Sequence, residues 1–291
     1  MHLFEDRGVL LFDAAMGTAL QAAGQPKGTG SEEMTNSAPE TVLKIHLENI
    51  RAGSDVVSSN TFGISQMMRR GKTELAIRTL EKAVQLAKRA AAESGREVFA
   101  CLDIGPSGAM LGPLGETSYE AAEELFSRQA EAGERAGADF IFLETFGDHE
   151  EFACAARGAK KASGLPVLGT MTFNQGGRSY MGASPEDLLR IAKEEKLEAT
   201  GLNCTLTPDE MLPIIASLLS LADGLPIIAQ PNMGQPEYKN GKSLYATSDE
   251  AFIAGAEKLI DLGVNGIGGC CGTSPAIISE IRVIIDRRYK K

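Results

Sequence analysis

The feature that most constrains the fold of this chain is an alternation of strand-like and helix-like segments, which repeats eight times along 291 residues. Short apolar runs are each followed by a longer segment in which apolar residues recur at helical spacing. Parallel strands need long crossover connections, and a helix is the usual one, so this order predicts a parallel sheet covered by helices. Eight such units in a chain of this length predict a closed (β/α)8 barrel, the TIM barrel.

The predicted elements follow from residue periodicity and from turn residues. Strands are expected at residues 9–12, 55–59, 98–104, 139–143, 167–173, 199–203, 226–230 and 264–268. Helices are expected at 39–52, 73–94, 119–136, 149–162, from 184 onward, from 207 onward, at 248–262 and at 275–287. Ser184 begins a capping arrangement with acidic residues in the first helical turn. Residues 24–37 and 232–246 are predicted to be polar connections.

An open, doubly wound sheet is the alternative to a barrel, and a glycine-rich phosphate-binding turn would favour it. The first strand-to-helix turn reads DAAMG at residues 13–17, which is neither a G-x-G-x-x-G motif nor a Walker loop. The chain also contains no low-complexity tract and no linker that would divide it. We therefore predict a single barrel domain over residues 1–291.

Composition excludes several classes of partner. The net charge of −10 argues against nucleic acid or an anionic membrane surface as the main partner. No apolar run approaches the roughly 20 residues of a membrane helix, and residues 1–11 lack the features of a secretion signal. The chain has five cysteines, an odd number, and its 43% of hydrophobic residues are enough for a large core that needs no disulfide framework. We therefore expect reduced thiols and a cytoplasmic protein.

Two adjacent cysteines, Cys270 and Cys271, lie in the glycine-rich segment GIGGCCGT at residues 266–273. Neighbouring side chains of a regular strand point to opposite faces, so both thiols reach one point only where the chain bends. Cys204 follows the predicted sixth strand, which in a barrel is one strand removed from the eighth. Three thiolates suit zinc and leave its fourth position open, as in catalytic sites. Core packing or a strained disulfide between the adjacent pair are the alternatives.

Other polar residues also lie near predicted C-terminal strand ends, where barrel enzymes carry their chemistry. They are Asp13, Asn60, Glu144, Asn203 and Asn232. Glu144 could instead serve as a helix-start anion, and Asp13 as a carboxylate that accepts from nearby amides. We assign Cys101 and Cys154 to core packing. His46 is expected on an ordinary helix face, His149 in a first helical turn and His2 in a loose terminus, so none is a predicted metal ligand.

Six segments together resemble the homocysteine S-methyltransferase family. They are DAAMGT (13–18), SNTFG (59–63), IGPSG (104–108), LET (143–145), GLNC (201–204) and GGCCGTSP (268–275). The likeness covers nearly the whole chain in the same order, and GGCCG is highly specific. Within the family the chain is most similar to the branch formed by the homocysteine-binding barrel of cobalamin-dependent methionine synthases. NTFG (60–63) and PNMG (231–234) carry that closer likeness.

The resemblance implies a role for each matching residue. The family's zinc ligands match Cys204, Cys270 and Cys271, which would be catalytic through the metal. The substrate-binding positions are Asp13, Asn60, Thr61, Glu144, Asn203 and Asn232. Among these, Glu144 matches the anchor of the substrate amino group, and Asn232 matches an asparagine that approaches zinc when substrate is absent.

The implied reaction is methyl transfer to the sulfur of homocysteine, which gives methionine. The donor is open: methylcobalamin or another methylcorrinoid on a separate protein is our first expectation, because no folate- or cobalamin-binding module follows residues 275–287. S-methylmethionine or another sulfonium is the alternative donor. The loops at 105–116 and 232–246 lie where a corrinoid protein would cover the barrel, or they could be lids. A zinc- or thiol-binding barrel without turnover also stays open, whereas a Schiff-base lyase would need a lysine at a strand end, and the sequence has none there.

Overall fold

The computed structural model describes residues 3–4, 8–239 and 242–289. The strands are β1 (Leu10–Leu11), β2 (Val56–Ser58), β3 (Phe99–Ile104), β4 (Ile141–Phe146), β5 (Val167–Met171), β6 (Ala199–Asn203), β7 (Ile227–Gln230), β8 (Glu237–Lys239), β9 (Lys242–Leu244) and β10 (Gly266–Ile267). Eight of them form one parallel sheet in the order β1-β10-β7-β6-β5-β4-β3-β2, while β8 and β9 form a separate hairpin. This nearly closed ring confirms the predicted (β/α)8 barrel.

Side chains help to close the ring between β1 and β2. The Asp55 N–H donates to the Leu11 carbonyl at 2.7 Å, and the Leu11 N–H donates to Asp55 Oδ2 at 3.0 Å. Further along the same seam, the Ser58 N–H donates to Asp13 Oδ2 at 3.0 Å. Because β1 is only two residues long, these carboxylates supply hydrogen bonds that a longer strand would make with its backbone.

Helices lie outside the sheet. They are α1 (Met16–Ala22), α2 (Met34–Ser37), α3 (Pro39–Ala52), α4 (Ile64–Arg69), α5 (Thr73–Ser94), α6 (Tyr119–Arg135), α7 (His149–Ala162), α8 (Pro185–Glu194), α9 (Pro208–Leu221), α10 (Asp249–Leu262) and α11 (Pro275–Tyr289). The predicted bounds of α3, α5 and α7 agree with the structure. Capping boxes begin α8 and α9, with Ser184 and Thr207 as the capping residues.

The structure differs from prediction in its short elements. The segment 24–37, predicted as a plain connection, contains α2 and a 3-10 helix at Ser31–Glu33, and 232–246 contains the β8–β9 hairpin. Neither α1 nor α4 was predicted, because helices of seven and six residues show little periodicity. Contacts from elsewhere hold the 3-10 helix, since Glu32 Oε1 accepts from the Gly63 N–H at 2.6 Å. Tertiary contacts of this kind are not visible in local sequence.

The core has two layers. Leu10, Phe12, Phe99, Cys101, Phe140 and Phe142 are among the residues of the inner cluster, and the rings of Phe12 and Phe142 lie 5.3 Å apart. A larger outer cluster, which includes Cys154, lies under the helices. Cys101 and Cys154 are both buried, as expected of packing residues. The bulky inner cluster fills the barrel, so polar side chains gather at the C-terminal strand ends.

The histidines differ in their surroundings. His149 is the first residue of α7, as predicted, and His2 lies outside the described residues. The expectation of an ordinary face for His46 is wrong, because its side chain is fully buried. Within the described ranges, no helix combines the length and the hydrophobicity that crossing a membrane would require.

Candidate metal centre

Three thiols meet at the C-terminal ends of β6 and β10. The Sγ atoms of Cys204, Cys270 and Cys271 all lie within 4.8 Å of one another, and those of Cys204 and Cys271 are 4.0 Å apart. All five cysteines are free. Two sulfurs bound to one tetrahedral zinc at about 2.3 Å each would lie about 3.8 Å apart. The spacing of the thiols therefore fits a common metal ion.

The backbone on both sides is tied to the end of β7, the strand between β6 and β10. The Cys204 N–H donates to the Gln230 carbonyl at 3.0 Å, and the Cys270 N–H donates to the Pro231 carbonyl at 2.8 Å. The Cys271 carbonyl accepts from the Met233 N–H at 3.0 Å. The two cysteine segments thus converge over β7, as the strand order of a barrel requires.

Left-handed backbone conformations aim the thiols. Cys204 and Thr205 have φ values of 65° and 61°, a region that β-branched residues rarely adopt. After the adjacent cysteines, Gly272 has a φ of +87°, and an added Cβ there would lie 2.8 Å from side-chain atoms of Met233 and Tyr245. Residues held in such conformations often mark functional sites, because the surrounding structure must stabilise them.

The thiols perturb one another electrostatically. Hydrogen bonds from Cys270 and Cys271 lower the pKa of the Cys204 thiol, while the hydrogen bonds that they donate to Cys204 raise the pKa of both partners. Three thiolates this close repel each other, so they ionise together only if a cation lies between them. A metal ion provides that charge and removes the protons outright.

A buried amide lies beside the same thiols. Asn232 is almost fully buried, and its Oδ1 atom has no hydrogen-bond partner in the described structure. Its side chain contributes a hydrogen bond that lowers the pKa of Cys204. A buried carbonyl oxygen without a partner is unfavourable, so an oxygen beside three thiols supports a metal-binding role for the cluster.

Carboxylates form the neighbouring part of the site. Burial raises the pKa of Asp13 to about 7, although Ser58 donates to it from both N–H (3.0 Å) and hydroxyl (3.1 Å). Burial, followed by the negative charges of Cys204 and Asp13, raises the pKa of Glu144 to about 8. Burial and the charge of Glu144 also raise the pKa of Asp103, which shares a hydrogen bond with Glu144. In the described chain, none of these three acids forms an ion pair with Lys or Arg.

Asn203 links the thiols to the carboxylates, and the remaining two predicted residues have internal partners. Asn203 Nδ2 lies 3.3 Å from Glu144 Oε2 and 4.0 Å from Cys270 Sγ. Asn60 Nδ2 donates to the Ser31 carbonyl at 2.7 Å, which ties the 3-10 helix to the end of β2. The Thr61 hydroxyl is fully buried and donates to the Asp103 carbonyl at 2.6 Å. These groups of Asn60 and Thr61 therefore form hydrogen bonds that stabilise the fold.

Asp103 was missed by the sequence reasoning. It lies inside the predicted third strand, whereas the chemistry of a barrel is expected at strand ends. The signal that could have found it is the period of two, because Phe99 and Cys101 on the same strand belong to the inner cluster and Asp103 shares their face.

The fold and the site define a (β/α)8 barrel with a three-cysteine cluster, able to hold a metal, at the C-terminal ends of its strands. A family model described as homocysteine S-methyltransferase matches residues 10–285. The chain therefore belongs to the homocysteine S-methyltransferase family of enzymes, which confirms the resemblance seen in its motifs.

Similar proteins support this assignment. A methionine synthase of Mycobacterium tuberculosis is 31% identical over 295 residues, which are 95% of this chain and 24% of that protein. A selenocysteine Se-methyltransferase of Brassica oleracea is 26% identical over 320 residues, with 98% of this chain and 92% of that protein covered. The metallated form of the Escherichia coli homocysteine methyltransferase MmuM has a TM-score of 0.81 at 23% identity, over 97% of this chain and 98% of that chain. This structural likeness shows the shared fold. The chain spans only 24% of the length of the methionine synthases that it matches.

Proposed function

We propose that this protein methylates the sulfur of homocysteine to give methionine, with a zinc ion held by Cys204, Cys270 and Cys271. The observation that carries the proposal is the set of three free thiols within 4.8 Å of one another. The half-buried side chain of Glu144 lies one amide group away, with its Oε2 atom 3.3 Å from Asn203 Nδ2. Homocysteine carries a thiol at one end and an ammonium group at the other, and this site offers complementary groups for both.

The donor set favours zinc. Thiolates are soft ligands, and three of them without histidine or an additional carboxylate suit Zn²⁺ better than Mg²⁺ or Ca²⁺. Three protein ligands leave a fourth position for a substrate. When bound, zinc would lower the pKa of a coordinated substrate thiol, so that the sulfur is a nucleophilic thiolate at neutral pH.

The carboxylates would bind the amino end of the substrate. Asp13 and Asp103 are buried and Glu144 is half-buried. None of the three has a Lys or Arg partner in the described chain, and each has a raised pKa. A substrate ammonium group would supply the missing positive charge and favour the ionised form of these acids. We propose that Glu144 and Asp13 orient this group, and that Asn60 and Thr61 support the pocket wall.

We further propose that the methyl donor is a methylcorrinoid carried by a partner protein. The loops around the C-terminal end of the barrel expose a set of large apolar side chains, here called the mouth rim: Met110, Leu114, Tyr180, Met181 and Leu244. Tyr180 is 92% exposed and Leu114 is 71% exposed. Exposed apolar surface is typical of protein interaction sites, and a small donor would not need contacts spread over the three loops that carry these side chains.

A small sulfonium donor such as S-methylmethionine is the second candidate. It is favoured by the relative named a selenocysteine Se-methyltransferase, because this chain covers 92% of that protein and so matches a short enzyme along most of its length. In both cases the donor would approach from the barrel mouth, and an open cavity of about 580 Å³ borders the site there through Thr205 and Leu206.

Metal analysis and a parallel donor assay test the proposal. Protein purified under reducing conditions should carry about one zinc per chain, and Cys204→Ala should remove it. Cys154→Ala is the matched control, because Cys154 is a free cysteine in the outer core. The zinc-loaded protein is then assayed for methionine with homocysteine and methylcobalamin, or with homocysteine and S-methylmethionine. Equal zinc in both variants would refute the metal site, and no methionine with either donor would refute the methyltransferase.

A further inference from the structure

Asn203, the last residue of β6, is fully buried and strongly hydrogen-bonded. Its Oδ1 atom accepts from the Thr145 N–H at 2.8 Å and from the Thr170 hydroxyl at 2.8 Å. Its Nδ2 atom donates to the Thr145 hydroxyl at 2.6 Å. An amide oxygen has two lone pairs, so Oδ1 is fully occupied by neighbours within the protein. Asn203 therefore has no acceptor left for a substrate.

One N–H group of Asn203 is left, because an amide nitrogen carries two hydrogens and Thr145 takes one. Nδ2 lies 3.3 Å from Glu144 Oε2 and 4.0 Å from Cys270 Sγ. The same N–H group thus faces both the carboxylate that would bind the substrate ammonium and a thiol that would bind the metal. No other residue in the described structure forms hydrogen bonds with both groups.

The conformation of Thr145 depends on these contacts. Thr145 has a φ of 61°, in the left-handed region that β-branched residues rarely adopt. Both its N–H and its hydroxyl are bonded to Asn203. Because the Thr145 N–H belongs to the peptide bond that joins Thr145 to Glu144, its hydrogen bond to Asn203 Oδ1 restrains the backbone at Glu144. Asn203 therefore acts on Glu144 twice, through its own N–H and through the turn that it stabilises.

We propose that Asn203 is a positioning residue that sets the separation between the amine-binding carboxylate and the metal-binding thiols. This inference rests on the proposed function. A rigid separation selects thiols whose amino group lies at the matching distance from the sulfur. The consequence is preference for homocysteine over L-cysteine, which is one methylene shorter, and over a thiol without an amino group. The contacts thus give Asn203 a role different from the direct substrate binding predicted from sequence.

Three variants separate positioning from general damage. Asn203→Ala removes the link, and Thr170→Val removes one hydroxyl that holds Asn203 Oδ1 while keeping the side-chain shape. Thr200→Val is the matched control, since Thr200 is also a buried threonine of this part of the sheet, but its hydroxyl donates to the Gly169 carbonyl at 2.9 Å. Each protein is loaded with zinc, its zinc content is measured, and ligand binding is followed by calorimetry.

The ligands are L-homocysteine, L-cysteine and 4-mercaptobutanoate, the last of which is homocysteine without its amino group. In Asn203→Ala we expect the Kd of L-homocysteine to rise about tenfold, which is 1.4 kcal/mol. The Kd of 4-mercaptobutanoate should stay within about twofold, and the preference for homocysteine over cysteine should narrow. Thr170→Val should change the Kd values in the same direction by a smaller factor, and Thr200→Val should change none of them.

Equal weakening of L-homocysteine and 4-mercaptobutanoate would overturn the inference, because it would mean general damage to the site. Unchanged binding of L-homocysteine would overturn it as well. If Asn203→Ala loses zinc or does not fold, Thr170→Val decides by the same comparison. Failure of the parent protein to bind L-homocysteine would instead refute the proposed function, so the two failures are distinguishable.

Discussion

Replacing His46 with leucine should make the stability of this protein less sensitive to acid. His46 lies on the inner face of α3, its side chain is fully buried, and neither ring nitrogen has a hydrogen-bond partner in the described structure. Burial in these surroundings lowers the pKa of the His46 imidazole from 6.5 to about 4. The folded protein therefore keeps this ring neutral at a pH where the unfolded chain protonates it.

The sign and size of the effect follow from linkage. Between pH 6.5 and about 4 the unfolded state binds one more proton at His46 than the folded state. The free energy of unfolding must then fall as pH falls through that window. Each pKa unit corresponds to 1.36 kcal/mol, so the full loss is about 3 kcal/mol, and about 2 kcal/mol of it is reached by pH 5. Above pH 7 the contribution is complete.

Urea unfolding of the metal-free protein at pH 7.5 and pH 5 measures this loss. The acids of the site also titrate, but they are common to parent and variant and cancel in the difference. In His46→Leu the free energy of unfolding should fall by about 2 kcal/mol less than in the parent between the two pH values. His46→Gln should show the same insensitivity with a lower stability at both pH values, because it buries an amide without a partner. An identical pH dependence in parent and both variants would refute the reasoning.

Two further predictions concern the site and the mouth rim. Glu144→Gln should weaken L-homocysteine binding at pH 7.5 about tenfold or more, because it removes a charge that would pair with the ammonium group, and the zinc content should not change. Equal losses of zinc binding and of homocysteine binding would mean that Glu144 only supports the fold. Replacing Leu114 and Tyr180 with serine should slow methyl transfer from a protein-bound methylcorrinoid. The rate of transfer from free methylcobalamin should stay within about twofold of the parent rate. Equal slowing with both donors would mean that the mouth rim acts in the chemical step itself.

Much of the barrel could be predicted because its strands and helices are indicated by local, periodic patterns of apolar residues. The alternation of strands and helices determines the strand order, and that order alone brings Cys204 to within one strand of Cys270. The capping residues Ser184 and Thr207 indicate in the sequence where α8 and α9 begin. The short helices near the barrel mouth could not be predicted in the same way, since contacts such as that between Glu32 and Gly63 join residues that are far apart in the chain.

The hydrogen bonds within the site were harder to predict than the identity of the residues that lie near it. Sequence position indicates that Asn203 lies at a strand end, but it does not indicate which of its atoms are already bonded. The Thr61 hydroxyl bonds to a partner on β3, and the Asn203 oxygen accepts from partners on β4 and β5. These partners become visible only when the register between strands is known. His46 is similar, because the burial of a helix face depends on which helices pack against it.

Two features of this site are unfavourable by themselves, the clustered thiols and the carboxylates without a basic partner among the described residues, and both would be stabilised by a positive charge. Clustered thiols ionise together only around a cation, and the ionised forms of Asp13, Asp103 and Glu144, whose pKa values are raised, would be stabilised by a positive charge. Ordinary core packing explains neither feature, because an apolar interior would favour replacing both sets of groups with hydrocarbon. The Asn203 amide nitrogen lies 3.3 Å from Glu144 Oε2 and 4.0 Å from Cys270 Sγ, so the carboxylates and the thiols meet at one amide group. A metal ion among the thiols and an ammonium group beside the carboxylates would supply both positive charges, and a small aminothiol is the simplest molecule that reaches the metal and the carboxylates together.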